Sequence, residues 1–296
     1  MIFMEYCLDS IADLKANALS GDVESQFELS KLYYNGEDIL KDVKESAHWC
    51  LKSAHQGHGK AQYNYGVLCL LGQGVTKDDL AGFYWIRKSA DQGLDSAQAT
   101  LGVMYLSGQG VTKDSDAGKF WLGKAADQGF AEAQRNLATL LMPEVSDDSA
   151  GYTESIRLWK MAAAQGDSNA QFNLGLMYEK GRGVSVCYAT AADWHLLAAE
   201  QGQAESQYNL GMLYRKGQGT EQDILKAISW WEKSANQQFA KAQVCLGVLY
   251  ANGDGVPKSR KIALEWFDLA AQNGDITASE HSRKLNKSKF FGWLFS

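Results

Sequence analysis

A glutamine recurs along this chain at an almost fixed interval, and that interval constrains the fold more than any other feature. Gln26, Gln62, Gln98, Gln134, Gln171, Gln207 and Gln243 are separated by 36, 36, 36, 37, 36 and 36 residues. Seven registered copies point to a repeat array, which grows by stacking one structural unit on the next. Length alone would suggest roughly two globular domains for 296 residues. In an array that estimate does not apply.

One clean copy shows what each unit is. Ala97, Leu101 and Tyr105 lie at i, i+4 and i+8, an apolar stripe along one face of an α-helix. Gly102 falls on that face and recurs as Gly66, Gly175, Gly211 and Gly247. A mid-helix glycine costs about 1 kcal/mol relative to alanine, so its recurrence predicts the close approach of a second helix. Gly108-Gln109-Gly110 ends this first helix, as glycine does where the backbone turns left-handed. A second helix follows with Ala117, Trp121 and Ala125, again at i, i+4 and i+8, and Gln128-Gly129 closes it. Small residues on one helix and Trp on the other are expected to form complementary surfaces. With only Pro143 and Pro257 in the chain, little interrupts helical coverage. The fold class expected is all-α, a solenoid of 36-residue helix-turn-helix repeats.

These residues resemble the sel-1-like repeat (SLR) family, a relative of the tetratricopeptide repeats, over about residues 25–277. The resemblance implies a right-handed superhelix with the first helices lining a concave groove. It also implies adaptor or regulatory work in protein assemblies, often bacterial, without catalytic residues of the family's own. The secreted branch carries paired cysteines in each repeat, a pairing that is absent here.

The copies are not uniform. Between Ala133 and Asn169 the Gly-x-Gly turn is replaced by the acidic, breaker-rich stretch Met142 to Gly151, and Leu158 stands where other copies have Trp, with Trp159 following. The first copy has Asn35-Gly36-Glu37-Asp38 at its turn. Residues 1–24, with a helix over Ile11 to Gly21, are expected to cap the array of 25–277. Residues 278–296 are read as a C-terminal capping helix, Ala278 to Leu285, with a hydrophobic tail. That tail, Lys287 to Phe295, crowds Phe290, Phe291, Trp293, Leu294 and Phe295 behind basic residues. It is expected to fold back as a cap rather than dock on an anionic membrane.

Charge and cysteine usage bound the partners. The formal net charge is -6, which disfavours general nucleic-acid binding. It divides unevenly: 13 Lys+Arg against 21 Asp+Glu (-8) in residues 1–148, and 16 against 14 (+2) in residues 149–296. The five cysteines, Cys7, Cys50, Cys69, Cys187 and Cys245, are odd in number and unregistered with the repeat, which favours a reducing compartment. Glu5 and Asp9 lie where a signal peptide would be basic and then apolar, and no stretch approaches the roughly 20 apolar residues of a membrane span. A cytoplasmic, monomeric protein is expected.

Catalytic and ligand chemistry finds little support. The Gly-x-Gly pairs follow helices, recur five times and lack both a third glycine and a phosphate-loop lysine, so they are turns rather than nucleotide sites. His48, His55 and His58 have no cysteine or carboxylate at ligand spacing, and are expected to pack or face solvent. His195, beside Trp194, is expected at the edge of the core. No nucleophile elbow or paired-carboxylate signature is present. No enzyme activity and no cofactor are expected.

The function expected is therefore protein binding, as a scaffold or regulatory adaptor. An inhibitor or immunity-type protein that occludes an effector, or a membrane-associated adaptor using its tail, are the alternatives. If Leu101 and Tyr105 face the core, the positions between them face the groove. The partner-binding set expected is Tyr63, Asn64, Leu70, Leu106, Arg135, Asn136, Phe172, Asn173, Lys180, Tyr208, Asn209, Arg215 and Lys216. Aromatic and Arg side chains anchor interfaces, and Asn can grip an extended backbone through both donor and acceptor.

Overall fold

The computed structural model describes the backbone of residues 2–142 and 149–294, with side chains described over 11–142 and 151–286. The described residues form helices and no strand. The chain divides into two compact units, residues 1–140 and 141–296. The first holds α1 (Ile2–Ser20), α2 (Val23–Asn35), α3 (Val43–His55), α4 (Gly59–Leu71), α5 (Asp79–Asp91), α6 (Asp95–Ser107), α7 (Ser115–Asp127) and α8 (Ala131–Leu140). The second holds α9 (Ser149–Ala164), α10 (Ser168–Lys180), α11 (Tyr188–Glu200), α12 (Ala204–Lys216), α13 (Ile224–Asn236), α14 (Ala240–Asn252), α15 (Arg260–Gln272) and α16 (Ala278–Leu294). Each unit is a run of stacked helix pairs, the all-α solenoid expected. The division falls at the irregular copy, whose residues 143–148 lie outside the described residues.

Local chemistry sets the helix ends. Asp42, Asp78, Asp114 and Asp223 precede the second helices, and each side chain accepts from backbone N–H groups of the first turn, as Asp78 does from Ala81 at 3.0 Å. Such caps satisfy donors that no helical carbonyl reaches. The first helices end on Gly72, Gly108, Gly181, Gly217 and Gly253, all left-handed. The second glycine of each turn has a further job. A Cβ on Gly74 would collide with the Val43 carbonyl, and one on Gly110 with the Asp79 carbonyl, so the turn lies against the start of the preceding repeat's second helix.

The close approach expected at the mid-helix glycines is present, but its partner is not the conspicuous tryptophan. A Cβ on Gly102 would stand 2.8 Å from Leu122 Cγ and 3.0 Å from the Gly118 carbonyl. Gly66 meets Ile86, Gly175 meets His195, Gly211 meets Trp231 and Gly247 meets Phe267. The residue that fills the glycine notch therefore follows the consensus Trp by one position. Ile86, Leu122, Trp231 and Phe267 are buried almost completely, each worth about 1.5–3 kcal/mol of transfer free energy. Trp159, which looked displaced in the sequence, sits in this same column and is buried. His195 is fully buried rather than at the core edge, because its position is that of Leu122 and Trp231.

Buried glutamines join successive repeats. Gln62 donates through Nε2 to the Ala54 carbonyl at 3.1 Å, and Gln26, Gln98, Gln134, Gln171, Gln207 and Gln243 repeat the contact eight residues back. The recurring glutamine is thus a backbone clamp between one repeat's second helix and the next repeat's first.

α1 reaches further toward the N-terminus than the Ile11 start expected, and α16 runs beyond Leu285 to Leu294. Ala18 on α1 is buried and its carbonyl receives Gln26. On α16, His281 stacks on Phe267 with ring centroids 5.2 Å apart. The side chains of the tail, residues 287–296, lie outside the described residues.

Candidate functional site

The first unit carries a cleft of about 320 Å³ on its first-helix face, between α2 and α4 with α3 at its floor. Ser30, Lys31, Tyr34 and Asn35 of α2 form one wall, and Tyr63, Asn64, Val67 and Leu68 of α4 form the other. Ser46 and Cys50 of α3 lie beneath, and Gln73 closes the end. The volume is at the small end of the ~300–1,000 Å³ typical of ligand pockets.

The cleft has a cause in the repeat pattern. In the next repeats the corresponding space is filled: Leu70 packs over Gly82 and Leu106 over Gly118, so close that a Cβ on either glycine would collide with the leucine. The first repeat has Tyr34 where those leucines stand and Ser46 where those glycines stand. Ser46 carries the Cβ that excludes such a filler, and Tyr34 turns outward, its hydroxyl donating to Gln73 Oε1 at 2.9 Å. Cys50 is also the smallest occupant of the column that elsewhere holds Ile86, Leu122, Trp159, His195, Trp231 and Phe267.

Electrostatically the cleft is nearly neutral. Lys31 pairs with Glu28 at 2.6 Å and lies over the Phe27 ring. Burial pushes the Cys50 thiol up to about 12, and its sulfur donates to the Ala61 carbonyl at 3.3 Å. Burial likewise raises Tyr65, to about 12, and Cys69. The interior is thus uncharged, with hydroxyl and amide groups around it: a site for an apolar or aromatic group with a hydrogen-bonding rim.

The structure distributes the sequence-predicted residues in three ways. Tyr63 and Asn64 meet in the cleft, with Tyr63 also packing on the core around Ile86 and Trp121. Leu70 and Leu106 are half-buried and pack between the two helices of their own repeats, where the glycines at 82 and 118 leave room. Arg135 and Asn136 are half-buried on α8, with Arg135 3.6 Å from Glu132. In the second unit Phe172, Asn173, Tyr208, Asn209 and Arg215 are half-buried, and Lys180 and Lys216 are exposed. Phe172 faces the His195 ring at 5.9 Å, Tyr208 faces Phe239 at 5.5 Å, and Arg215 lies 6.0 Å from the Trp231 ring centroid.

Sequence reasoning missed Ser30, Tyr34, Ser46, Cys50 and Gln73. The signal was available in the alignment of the copies, where Cys50 and Tyr34 depart from their columns. The histidines have structural tasks. His58 caps α4, its Nδ1 accepting from the Ala61 N–H at 3.1 Å while Nε2 lies 3.2 Å from Glu24. His55 and His48 stand edge-on to Trp85 and Trp49. None of the helices among the described residues is long and apolar enough to cross a membrane.

Comparison with known proteins agrees with the repeat boundaries. The Sel1 repeat pattern matches seven consecutive segments, 23–58, 59–94, 95–130, 131–167, 168–203, 204–239 and 240–275. The chain is similar to the crystal structure of c5321, a protective antigen present in uropathogenic Escherichia coli strains and displaying an SLR fold. Identity is 32%, with a TM-score of 0.81 over 91% of this chain and 58% of that one, so this chain spans less than two thirds of that protein. It is also similar to a Sel1 repeat protein from Oxalobacter formigenes, at 31% identity and a TM-score of 0.73, covering 95% of this chain and 81% of that one. No curated protein matches. With the seven matched segments running almost without interruption from residue 23 to residue 275, the chain belongs to the Sel1 repeat family.

Proposed function

We propose that this protein is an interaction scaffold that receives a partner protein on its first-helix face, with the cleft of the first unit as the anchor pocket. The observation that carries this reading is the cleft itself. It exists because one repeat lacks the filler its neighbours have, and it places Tyr63 and Asn64 beside Tyr34, Val67 and Gln73. An apolar side chain buried there gains transfer free energy, while Asn64 and Gln73 offer both donors and acceptors to the flanking backbone. Anchors of this kind dominate the energetics of interfaces. Membership of the Sel1 repeat family supports a protein partner over a small substrate. The scaffold acts as a monomer in the cytoplasm and contributes no chemistry of its own.

Site-specific photocrosslinking tests the reading. A photoreactive amino acid at Val67, in the cleft, should trap a protein adduct of defined mass from native cells. The same group at Phe120, exposed on the second helix α7, should trap none of that mass. Adducts from position 120 alone would place the partner on the opposite face and overturn the assignment.

A further inference from the structure

We propose that the first-helix face of the second unit docks an acidic, extended segment of a partner protein, through Lys180, Arg182, Arg215 and Lys216. This rests on the reading that first-helix faces receive the partner, and adds the chemistry of a second contact.

The cations are specific to this unit. At the positions of Glu179 and Lys180, the earlier repeats have Leu70-Leu71 and Leu106-Ser107, whereas the following repeat has Arg215-Lys216. A cation in the last turn of a helix is favoured by the carbonyls that end it. That preference applies equally to α4, α6 and α14, whose last turns contain no basic residue. Helix chemistry therefore does not account for the pattern.

The four cations also lack a paired carboxylate among the described residues, although Arg215 lies 6.0 Å from the Trp231 ring centroid. Elsewhere in this unit Arg157, Lys226 and Lys261 each lie within 4.0 Å of a carboxylate. Among the described residues no carboxylate lies that close to Lys180, Arg182, Arg215 or Lys216. Glu179 adjoins Lys180 in sequence, and the buried His195 engages it, with Nε2 3.7 Å from Oε2. That contact, with smaller contributions from Lys180 and Lys216, holds the Glu179 carboxyl below its ordinary range. Lys180 and Lys216, from adjacent repeats, thus act electrostatically on one carboxylate that His195 already engages. Lys180, Arg182 and Lys216 remain exposed.

The surroundings favour a peptide over a longer polyanion. The half-buried Tyr208 stays a neutral hydrogen-bonding phenol, since burial raises it to about 12. Residues 149–296 carry +2 (16 Lys+Arg against 14 Asp+Glu), whereas residues 1–148 carry -8 (13 against 21). A nucleic acid or anionic membrane favours a strongly basic protein, whereas this chain's net charge is -6. A segment with a few carboxylates matches a patch of four cations.

The test uses the full chain and a fluorescein-labelled dodecapeptide rich in Asp and Glu, followed by fluorescence anisotropy. Binding should weaken as salt rises, because exposed charges are screened within about 10 Å at 0.1 M. Lys180→Glu with Lys216→Glu should weaken binding by about tenfold or more, while Lys233→Glu with Lys261→Glu, an equal change of charge on second helices, should shift it by no more than about twofold. Should the first pair fail to fold by circular dichroism, Lys180→Gln with Lys216→Gln replaces it. Absence of binding by the unmodified protein overturns the proposal, as does equal loss in both pairs. So does binding of a uridine oligomer or of phosphatidylserine vesicles at this patch when the peptide does not bind. Closing the cleft of the first unit should leave peptide binding unchanged, so failure at one site is distinguishable from failure at the other.

Discussion

Gln92 donates through Nε2 to Oε1 of Gln62 at 2.7 Å and, from the same amide, to the Gly57 carbonyl at 3.0 Å. Gln62 in turn donates to Ala54, so two glutamines tie the repeat of residues 59–94 to the one before it. Gln56 with Gln26, and Gln128 with Gln98, reproduce the relay in the first unit. Gln62 is buried and Gln92 exposed, so their removal should differ in cost. Gln62→Leu should destabilise the α3–α4 contact by about 1–3 kcal/mol, the cost of an abandoned buried hydrogen bond. Gln92→Ala, whose lost partners are nearer water, should cost about 0.5–1.5 kcal/mol. Amide hydrogen exchange in α3 and α4, referenced to α12, measures both. Equal effects would show that the relay is not a buried clamp.

The notch at Gly102 predicts a size exchange. Gly102→Ala drives a methyl against Leu122 and the Gly118 carbonyl, and overpacking of this sort costs about 1–3 kcal/mol. Leu122→Ala alone should cost about 2–5 kcal/mol, because it opens a cavity under a fully buried side chain. Together the changes should cost less than their sum by at least about 0.5 kcal/mol, as contacting residues couple. Strict additivity in thermal unfolding would mean that the two positions do not touch.

The same notch shows what the sequence made legible and where it stopped. The 36-residue period, the helix pair, the left-handed glycine turns and the close approach at Gly66 and Gly102 all follow from local chemistry that a sequence displays. The identity of the residue in the notch does not, because Trp121 stands out by size while its neighbour Leu122 is the one aimed at Gly102. One step along a helix rotates a side chain by about 100°, and letter spacing alone does not say which of two adjacent apolar residues points inward. Leu70 and Leu106 raise the same difficulty, since only the missing side chains of Gly82 and Gly118 show what the leucines pack against. The cleft was legible in principle, through Cys50 and Tyr34, but as departures from a pattern rather than as a motif.

Gln238 is strained where its counterparts are not. Its φ is +65°, at the turn position held by Gly93, Gly129, Gly166, Gly202 and Gly274 in other repeats. A Cβ at those glycines meets nothing within 4 Å, so the cost is conformational and not steric contact. A left-handed non-glycine residue costs about 1–2 kcal/mol, offset by roughly 0.4–1 kcal/mol for glycine's freedom in the unfolded chain. Gln238→Gly should therefore stabilise the second unit by up to about 1 kcal/mol, and raise its melting temperature. A lowered melting temperature would show that the Gln238 side chain contributes more than its backbone costs.

Thiol chemistry should separate the described cysteines by environment. Burial holds Cys50 up at about 12 and Cys245 at about 11, which keeps both as thiols near neutral pH. Cys187 is the cap residue just before α11, and a hydrogen bond with Thr190 lowers its thiol. The thiolate is the reactive form, and helix N-termini favour it. Brief alkylation of the native protein at pH 8, mapped by peptide mass spectrometry, should label Cys187 well before Cys50 or Cys245. Early labelling of Cys50 would mean that the cleft opens to its floor in solution.

Closing the cleft tests its role directly. The second repeat shows the filled arrangement, with Gly66 facing Ile86 where the first has Ser30 near Cys50. Ser30→Gly with Cys50→Ile rebuilds that pair, removing the hydroxymethyl that would block the larger side chain. Each added methylene buried gains about 0.8 kcal/mol, against about 1 kcal/mol for glycine in a helix, so stability should stay level or rise. The thermal melt should show no loss, and photocrosslinking from position 67 should fall sharply, because the anchor no longer has a place to enter. Retained crosslinking by a variant whose filled cleft is verified crystallographically would mean that the partner rests on the rim, through Tyr63 and Asn64, and that the pocket is incidental to binding.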